Sequence, residues 1–288
     1  MHTLILSISF SVLVSVFLKL ARHYRLQIEQ AIFMNYVMAC ALCLWLLRPP
    51  LETLGQQTPT GWTILILLGV LLPSVFLIMA TAVRQAGIVL SDTAQRLSLI
   101  VPIAAAFLIF NESPSGQKII GIMLALAALA CLLRRPRVPA DSTAPASYTG
   151  RLFWLSLLGV WAGYGIIDIL FKQMARTGSG FTSTLLLSFM LAGTLMGLWL
   201  VLRRTTWDIR SLASGALLGG LNFSNIYFYI RAHQTYPENP TLVFAAMNIG
   251  VISVGALVGA GLFRERLSRT NLGGIALALI AIVLLFPR

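Results

Sequence analysis

Of the 288 residues, 58% are hydrophobic and only 10% are charged, where a soluble domain carries roughly a quarter charged residues. With a mean hydropathy of +0.86, most of the surface must face lipid, which excludes a soluble globular protein. The net charge of +12 does not point to nucleic acid, because the basic residues sit in short clusters between apolar runs, as positive-inside anchoring requires.

Ten runs are apolar enough, at about 20 residues, to cross a bilayer core as helices. The first, 2–21, sets Ser7, Ser11, Ser15 and Lys19 four apart, so one face is polar. It lacks a basic start and an A-x-A-like cleavage site, and so reads as a span rather than a signal peptide. The second, 29–48, carries Asn35 and the CxxC pair Cys40 and Cys43. With no histidine or further cysteine near, that pair reads as small packing residues, as does Cys131. The third, 61–83, contains Pro73, and the fourth, 87–110, contains Asp92, Gln95, Arg96 and Pro102. Both prolines break backbone bonds and are natural kink points. The fifth run, 115–133, opens at Ser115 just after Glu112.

Residues 134–151, "RRPRVPADSTAPASYTGR", form a Pro-, Ser- and Arg-rich linker at the middle of the chain. Beyond it, the sixth run, 152–174, places Trp161, Tyr164, Asp168 and Lys172 at helical spacing. The seventh is 181–202. The eighth, 211–231, lines up Gly215, Gly219, Asn222 and Tyr229 in one stripe with Asn225 beside it, combining small residues for close helix approach with amides and a phenol for hydrogen bonding. The ninth, 239–263, opens on the cap pair Asn239 and Pro240 and contains Asn248. The tenth, 269–287, follows Glu265 and Ser268. His2, His23 and His233 lie at run ends or in loops, no metal-ligand spacing involves them, and no cofactor is implied.

A shift of 153 residues lays "VFLKLA" (16–21) on "ILFKQM" (169–174), with Lys19 on Lys172. The same shift lays "FNESPSGQKIIGIMLALA" on "FRERLSRTNLGGIALALI", aligning Glu112 with Glu265, Ser115 with Ser268 and Gly121 with Gly274. One residue more brings "LWLL" (44–47) onto "LWLV" (198–201). The chain therefore reads as two copies of a five-helix unit, 1–133 and 152–288. Because five is odd, the second copy enters the bilayer from the opposite side. The expected fold is an all-α membrane protein with ten transmembrane helices in a 5+5 inverted-topology repeat, an architecture that places a substrate site near the midplane.

The two hairpins "SLIVPIAAAFLIFNESPSGQKIIGIMLALAALACLL" and "GVISVGALVGAGLFRERLSRTNLGGIALALIAIVLLF" resemble the drug/metabolite transporter superfamily, in particular its EamA-type ten-helix permeases. The resemblance covers the whole chain, with Gly255 standing where the first half has Pro102. It implies export or uptake of a small metabolite such as an amino acid, a sugar or an amphipathic compound, without naming one. Physically, Ser115 and Ser268 are placed to N-cap the fifth and tenth helices. Glu112 and Glu265 end the preceding helices, where the macrodipole disfavours a carboxylate, so each needs a nearby cation or free N–H groups.

The polar stripes of the first and sixth runs should avoid lipid and face the interior. Lys19 either lines that interior or snorkels to the headgroups. Asp168 and Lys172 either neutralise each other or make Asp168 a proton-coupling or amine-binding carboxylate. Asn35, Asn222, Asn225, Tyr229 and Asn248 are hydrogen-bonding candidates for ligand or for a neighbouring helix. Arg96 allows two readings. In one, the fourth helix begins at Asp92, Gln95 caps it, and Arg96 pairs with Asp92 and reaches headgroups. In the other, the repeat starts that helix near Ala86, which sets Arg96 close to the midplane, where arginine costs at least about 2.5–3.5 kcal/mol and a cavity must receive it. There it would fork onto a substrate carboxylate or phosphate, or onto Asp168 when the site is empty.

Lysines and arginines favour one set of connectors by 14 to 6, which puts both termini outside by the positive-inside rule, whereas the resemblance implies both inside. The expectation is a multi-pass inner-membrane secondary transporter, monomer or homodimer, with a small-molecule substrate. The competing classes are a structural subunit, which would not need Arg96 and Asp168, and an intramembrane enzyme, for which no catalytic motif is present. No Walker loop is present, so a proton gradient or exchange is the expected driver.

Overall fold

A computed structural model describes residues 1–24, 26–50, 58–133, 150–177, 180–263 and 268–286. The linker residues 134–149 and Glu265 lie outside these, as does the side chain of Lys19. Ten α-helices follow one another: α1 (His2–His23), α2 (Ile28–Leu42), α3 (Pro59–Leu97), α4 (Ile100–Leu108), α5 (Gly116–Leu133), α6 (Arg151–Ala175), α7 (Phe181–Leu202), α8 (Ile209–Thr235), α9 (Pro240–Phe263) and α10 (Arg269–Leu285). A π-helical turn, Cys43–Leu47, extends α2. Among the described residues, six helical segments are long and apolar enough to cross a membrane, and helices satisfy their backbone polar groups internally, as lipid demands.

The third and fourth runs do not divide where the sequence places the division. The helix expected to end at Val83 continues unbroken to Leu97, and the fourth run becomes the end of α3 plus the nine-residue α4. Between Val83 and Leu90 only Gly87 opposes a helix, at a cost of about 1 kcal/mol. Pro102, by contrast, cannot donate to the carbonyl of Ser98 and its ring crowds that carbonyl, so the helix breaks at Ser98 and Leu99. Arg96 consequently sits in the last turn of α3, not nine or ten residues into a helix that starts near Ala86.

The chain forms two compact units, each drawing on both halves of the sequence. Unit 1 comprises Met1–Ser74 and Ile169–Thr235; unit 2 comprises Val75–Asp168 and Tyr236–Arg288. The division passes through α3, directly after Pro73 and Ser74, and through α6.

In unit 1, α8 packs on α1 and α2, and α7 packs on α2. Lipid tails are as apolar as leucine, so helices here associate through close packing and hydrogen bonds. The glycine stripe of α8 provides the packing: a Cβ on Gly215 would lie 2.5 Å from the Ala31 carbonyl oxygen, and one on Gly219 would lie 2.7 Å from that of Asn35. Connectors reinforce it. Buried Gln30 donates to the Thr206 carbonyl at 2.7 Å and accepts from the Asp208 N–H at 2.9 Å, while Ser211 accepts from the Gln27 N–H at 2.9 Å.

In unit 2, α5 and α10 form the most extensive pair, and its caps and glycine contacts exchange under the 153-residue shift. Ser115 caps α5 by accepting from the Lys118 N–H at 3.2 Å, and Ser268 caps α10 by accepting from the Asn271 N–H at 3.1 Å. A Cβ on Gly121 would lie 2.8 Å from the Leu285 side chain, and one on Gly274 would lie 2.9 Å from that of Leu132. Near the start of each helix an amide side chain reaches a carbonyl in the last turn of the other: Gln117 donates to Leu284 at 2.7 Å, and Asn271 donates to Leu132 at 3.1 Å. The two helices thus run antiparallel, each supplying a donor for carbonyls that a helix end leaves without an intrahelical partner.

Candidate functional site

The break between α3 and α4 and the middle of α6 come together in unit 2. Trp161 Nε1 donates to the Leu97 carbonyl at 3.1 Å, supplying a donor that the broken helix cannot. On α6 a Cβ at Gly165 would lie 2.6 Å from Val101, so the absence of a side chain lets the start of α4 seat there. Tyr164, next to this contact, lies in the field of three charges: Arg96, Asp92 and Asp168.

Arg96 is the centre of this group. Its Nε lies 3.6 Å from Asp92 Oδ1, and the side chains are 17% and 40% exposed. The placement suits a cation twice over: the last helical turn offers the negative end of the dipole, and an acid four residues before it is the favourable order. The contact is nevertheless longer than an N–H···O hydrogen bond, and Nε is enclosed with no hydrogen-bond partner among the described residues. Withdrawing a charged donor from water without a hydrogen bond is costly. The natural complement of a guanidinium fork is a carboxylate or phosphate.

Other candidates in unit 2 lie as follows. Gln95 is half-buried, and its carbonyl accepts from the Ser98 hydroxyl at 2.5 Å. Asp168 is half-buried and makes interactions of its own. Asn248 donates to the Phe244 carbonyl one turn back, at 3.2 Å.

In unit 1, Ser7 rather than Ser15 turns inward. Ser7 is buried and donates to Asn225, with its oxygen 3.1 Å from the carbonyl oxygen and 3.0 Å from Oδ1. Ser15 is exposed and donates to the Ser11 carbonyl. Asn35 is buried with no partner for Oδ1 among the described residues, and Asn222 is half-buried. Lys172 is buried on α6. Its charge acts on the buried ring of His233, which meets Tyr229 at 4.9 Å and T-shaped geometry. His233 was expected at a run end because hydropathy falls at Arg231. The helix continues to Thr235 and carries it into the interior.

The hairpin after α4 holds a second charged group. The helix ends with Asn111 at φ 54, a left-handed conformation that asparagine tolerates, and the Glu112 N–H returns to the Ala106 carbonyl at 2.9 Å. This closure around Asn111 fixes where Glu112 points. One carboxylate oxygen meets Lys118 Nζ at 3.0 Å, and the other accepts from the backbone N–H and hydroxyl of Thr241 at 3.0 and 2.6 Å. The cation comes from α5, but the free N–H comes from the start of α9. Lys118 stands close by in the sequence; Thr241 carries no signal there, because only the fold brings it near.

Comparison with known proteins places these observations in context. Residues 1–134 match the model of the EamA-like transporter family. The chain is similar to a protein of Haemophilus influenzae described as uncharacterized, with 50% identity over 294 residues, 99% of this chain and 98% of that one. In fold it is similar to a protein of known crystal structure, with a TM-score of 0.69 at 14% identity over 98% of this chain and 96% of the other.

Proposed function

We propose that this chain, which belongs to the EamA-like transporter family of the drug/metabolite transporter superfamily, is a secondary transporter that moves a small metabolite by alternating access. Members of that family are membrane transporters of small compounds rather than enzymes. The substrate class is an amino acid or other amphipathic compound carrying an anionic group, exported or exchanged for protons. Helical spans, rather than the closed barrel of outer-membrane proteins, support the inner membrane as its location.

The carrying observation is Arg96: a guanidinium in an apolar chain, loosely paired and with an enclosed donor that makes no hydrogen bond among the described residues. Such a group holds binding energy that an anion recovers as charge-assisted hydrogen bonds. Tyr164, Asp168 and Gln95 are the side chains we assign to the same site, with Asn248 of the same unit as a further substrate contact. Glu112, Ser115 and Ser268 are assigned a structural part.

The division into repeats 1–133 and 152–288, joined by the linker 134–151, is supported by the exchange of the caps and glycine contacts of α5 and α10 under one constant shift. An inverted repeat provides the two related arrangements that alternating access needs.

The test is a thermal-unfolding screen of the purified protein against amino acids, organic acids and sugars, run in parallel on Arg96→Ala. At least one anionic compound should stabilise the wild type and leave Arg96→Ala unmoved. Equal stabilisation of both proteins by every active compound would contradict the assignment.

A further inference from the structure

We propose that Asp92 is the counter-ion that occupies Arg96 while the site is empty and releases it when an anionic substrate arrives, so that Asp92 sets how tightly the substrate is held. This rests on the reading of Arg96 as an anion-binding group.

Three observations carry it. The separation of 3.6 Å is too long for the charge-assisted hydrogen bond of a settled guanidinium–carboxylate pair, which lies at about 2.7–2.9 Å. The two partners differ in exposure, 17% for Arg96 and 40% for Asp92, so the acid is the less enclosed of the two and the freer to turn away. Finally, the charges of Asp92 and Arg96 both reach Tyr164 on α6, so the pair stands against the group of side chains assigned to the site, and a substrate anion entering there has Asp92 to displace.

Asp92 is thus a positioning residue. It holds the guanidinium near the end of α3 and competes with the ligand for its charge. A helix staple would make a different prediction: its removal would lower stability and leave anion affinity unchanged. The competing-ion role predicts tighter anion binding when the acid is neutralised, at the expense of selectivity, since the empty site no longer screens out weakly bound anions.

The experiment uses the full-length purified protein and phenylglyoxal, which modifies guanidinium groups, with peptide mass spectrometry reporting modification at Arg96. Acetate and inorganic phosphate serve as probe anions, one for each ligand chemistry. In the wild type, one of them slows labelling of Arg96 in a saturable way. In Asp92→Asn the concentration giving half-protection should fall by about tenfold, which corresponds to about 1.4 kcal/mol. Asp92→Glu, which restores the acid on a longer stem, should return it toward the wild-type value. Half-protection in Asp92→Asn at the wild-type concentration would overturn the counter-ion role while leaving the anion site intact. Absence of protection by either anion in all three proteins would overturn the anion site as well.

Discussion

Glu112 faces the negative end of a helix dipole with a side chain that is 1% exposed, and its tolerance depends on three donors. Thr241 satisfies one oxygen with two hydrogen bonds, and Lys118 neutralises the other as an ion pair. Glu112→Ala would leave a lysine and the start of α9 without their acceptor, and removal of one partner from a buried pair costs about 3–5 kcal/mol. Thermal unfolding in detergent should show that loss, with a smaller one for Thr241→Val, which keeps the backbone bond. The need for compensation is legible in the sequence, since a carboxylate between two helices is visible there. Its main source is not, because Thr241 is brought in by tertiary structure alone.

Asp208 makes a different prediction at the same scale. It caps α8, accepting from the Ser211 hydroxyl at 2.5 Å and from the Ser211 N–H at 3.1 Å. Chiefly the Ser211 hydroxyl, with help from the Arg210 and Ser211 N–H groups, holds its carboxyl below the ordinary value. A lowered carboxyl contributes stability above the unfolded value, about 4, and loses it as pH falls through the folded value. The stability difference between wild type and Asp208→Asn should therefore be largest near neutral pH and narrow on acidification. A difference that widened on acidification would contradict this cap.

Among the elements, α8 shows what a glycine stripe is for. Gly215 and Gly219 meet the backbone of α2, whereas a Cβ on Gly220 would meet nothing within 4 Å. Gly215→Ala should lower stability by about 1–3 kcal/mol through overpacking, and Gly220→Ala should raise it by up to about 1 kcal/mol through helix propensity. Thermal unfolding of the pair separates packing from propensity, and equal effects would contradict the close approach. The spacing of Gly215 and Gly219 announces a packed face; the partner helix, α2, it does not announce. The α3–α4 boundary was less legible. Periodicity has no means of placing a break inside one continuous apolar stretch, and the deciding residue was Pro102, whose effect falls four residues before it, at Ser98.

For the molecule as a whole, the caps of α5 and α10 were legible because local sequence makes them: a serine followed three residues later by the N–H it accepts from. The grouping of helices into two units was not legible. Each unit mixes the two halves of the chain, and a shift in sequence registers likeness between halves without telling which helices pack together. Arg96 lies between these cases. Its oddity in an apolar run is plain from the sequence, but its place in a helix is not, because the repeat starts the fourth helix near Ala86 whereas the chain keeps α3 going to Leu97.

Transport through an anion-binding Arg96 is tested most directly by flux. The compound that stabilises the purified protein would be loaded into proteoliposomes holding equal amounts of correctly inserted wild type and Arg96→Ala, and its movement followed. The wild type should carry it and Arg96→Ala should not, while both remain folded and inserted. Wild-type flux through Arg96→Ala would contradict the account.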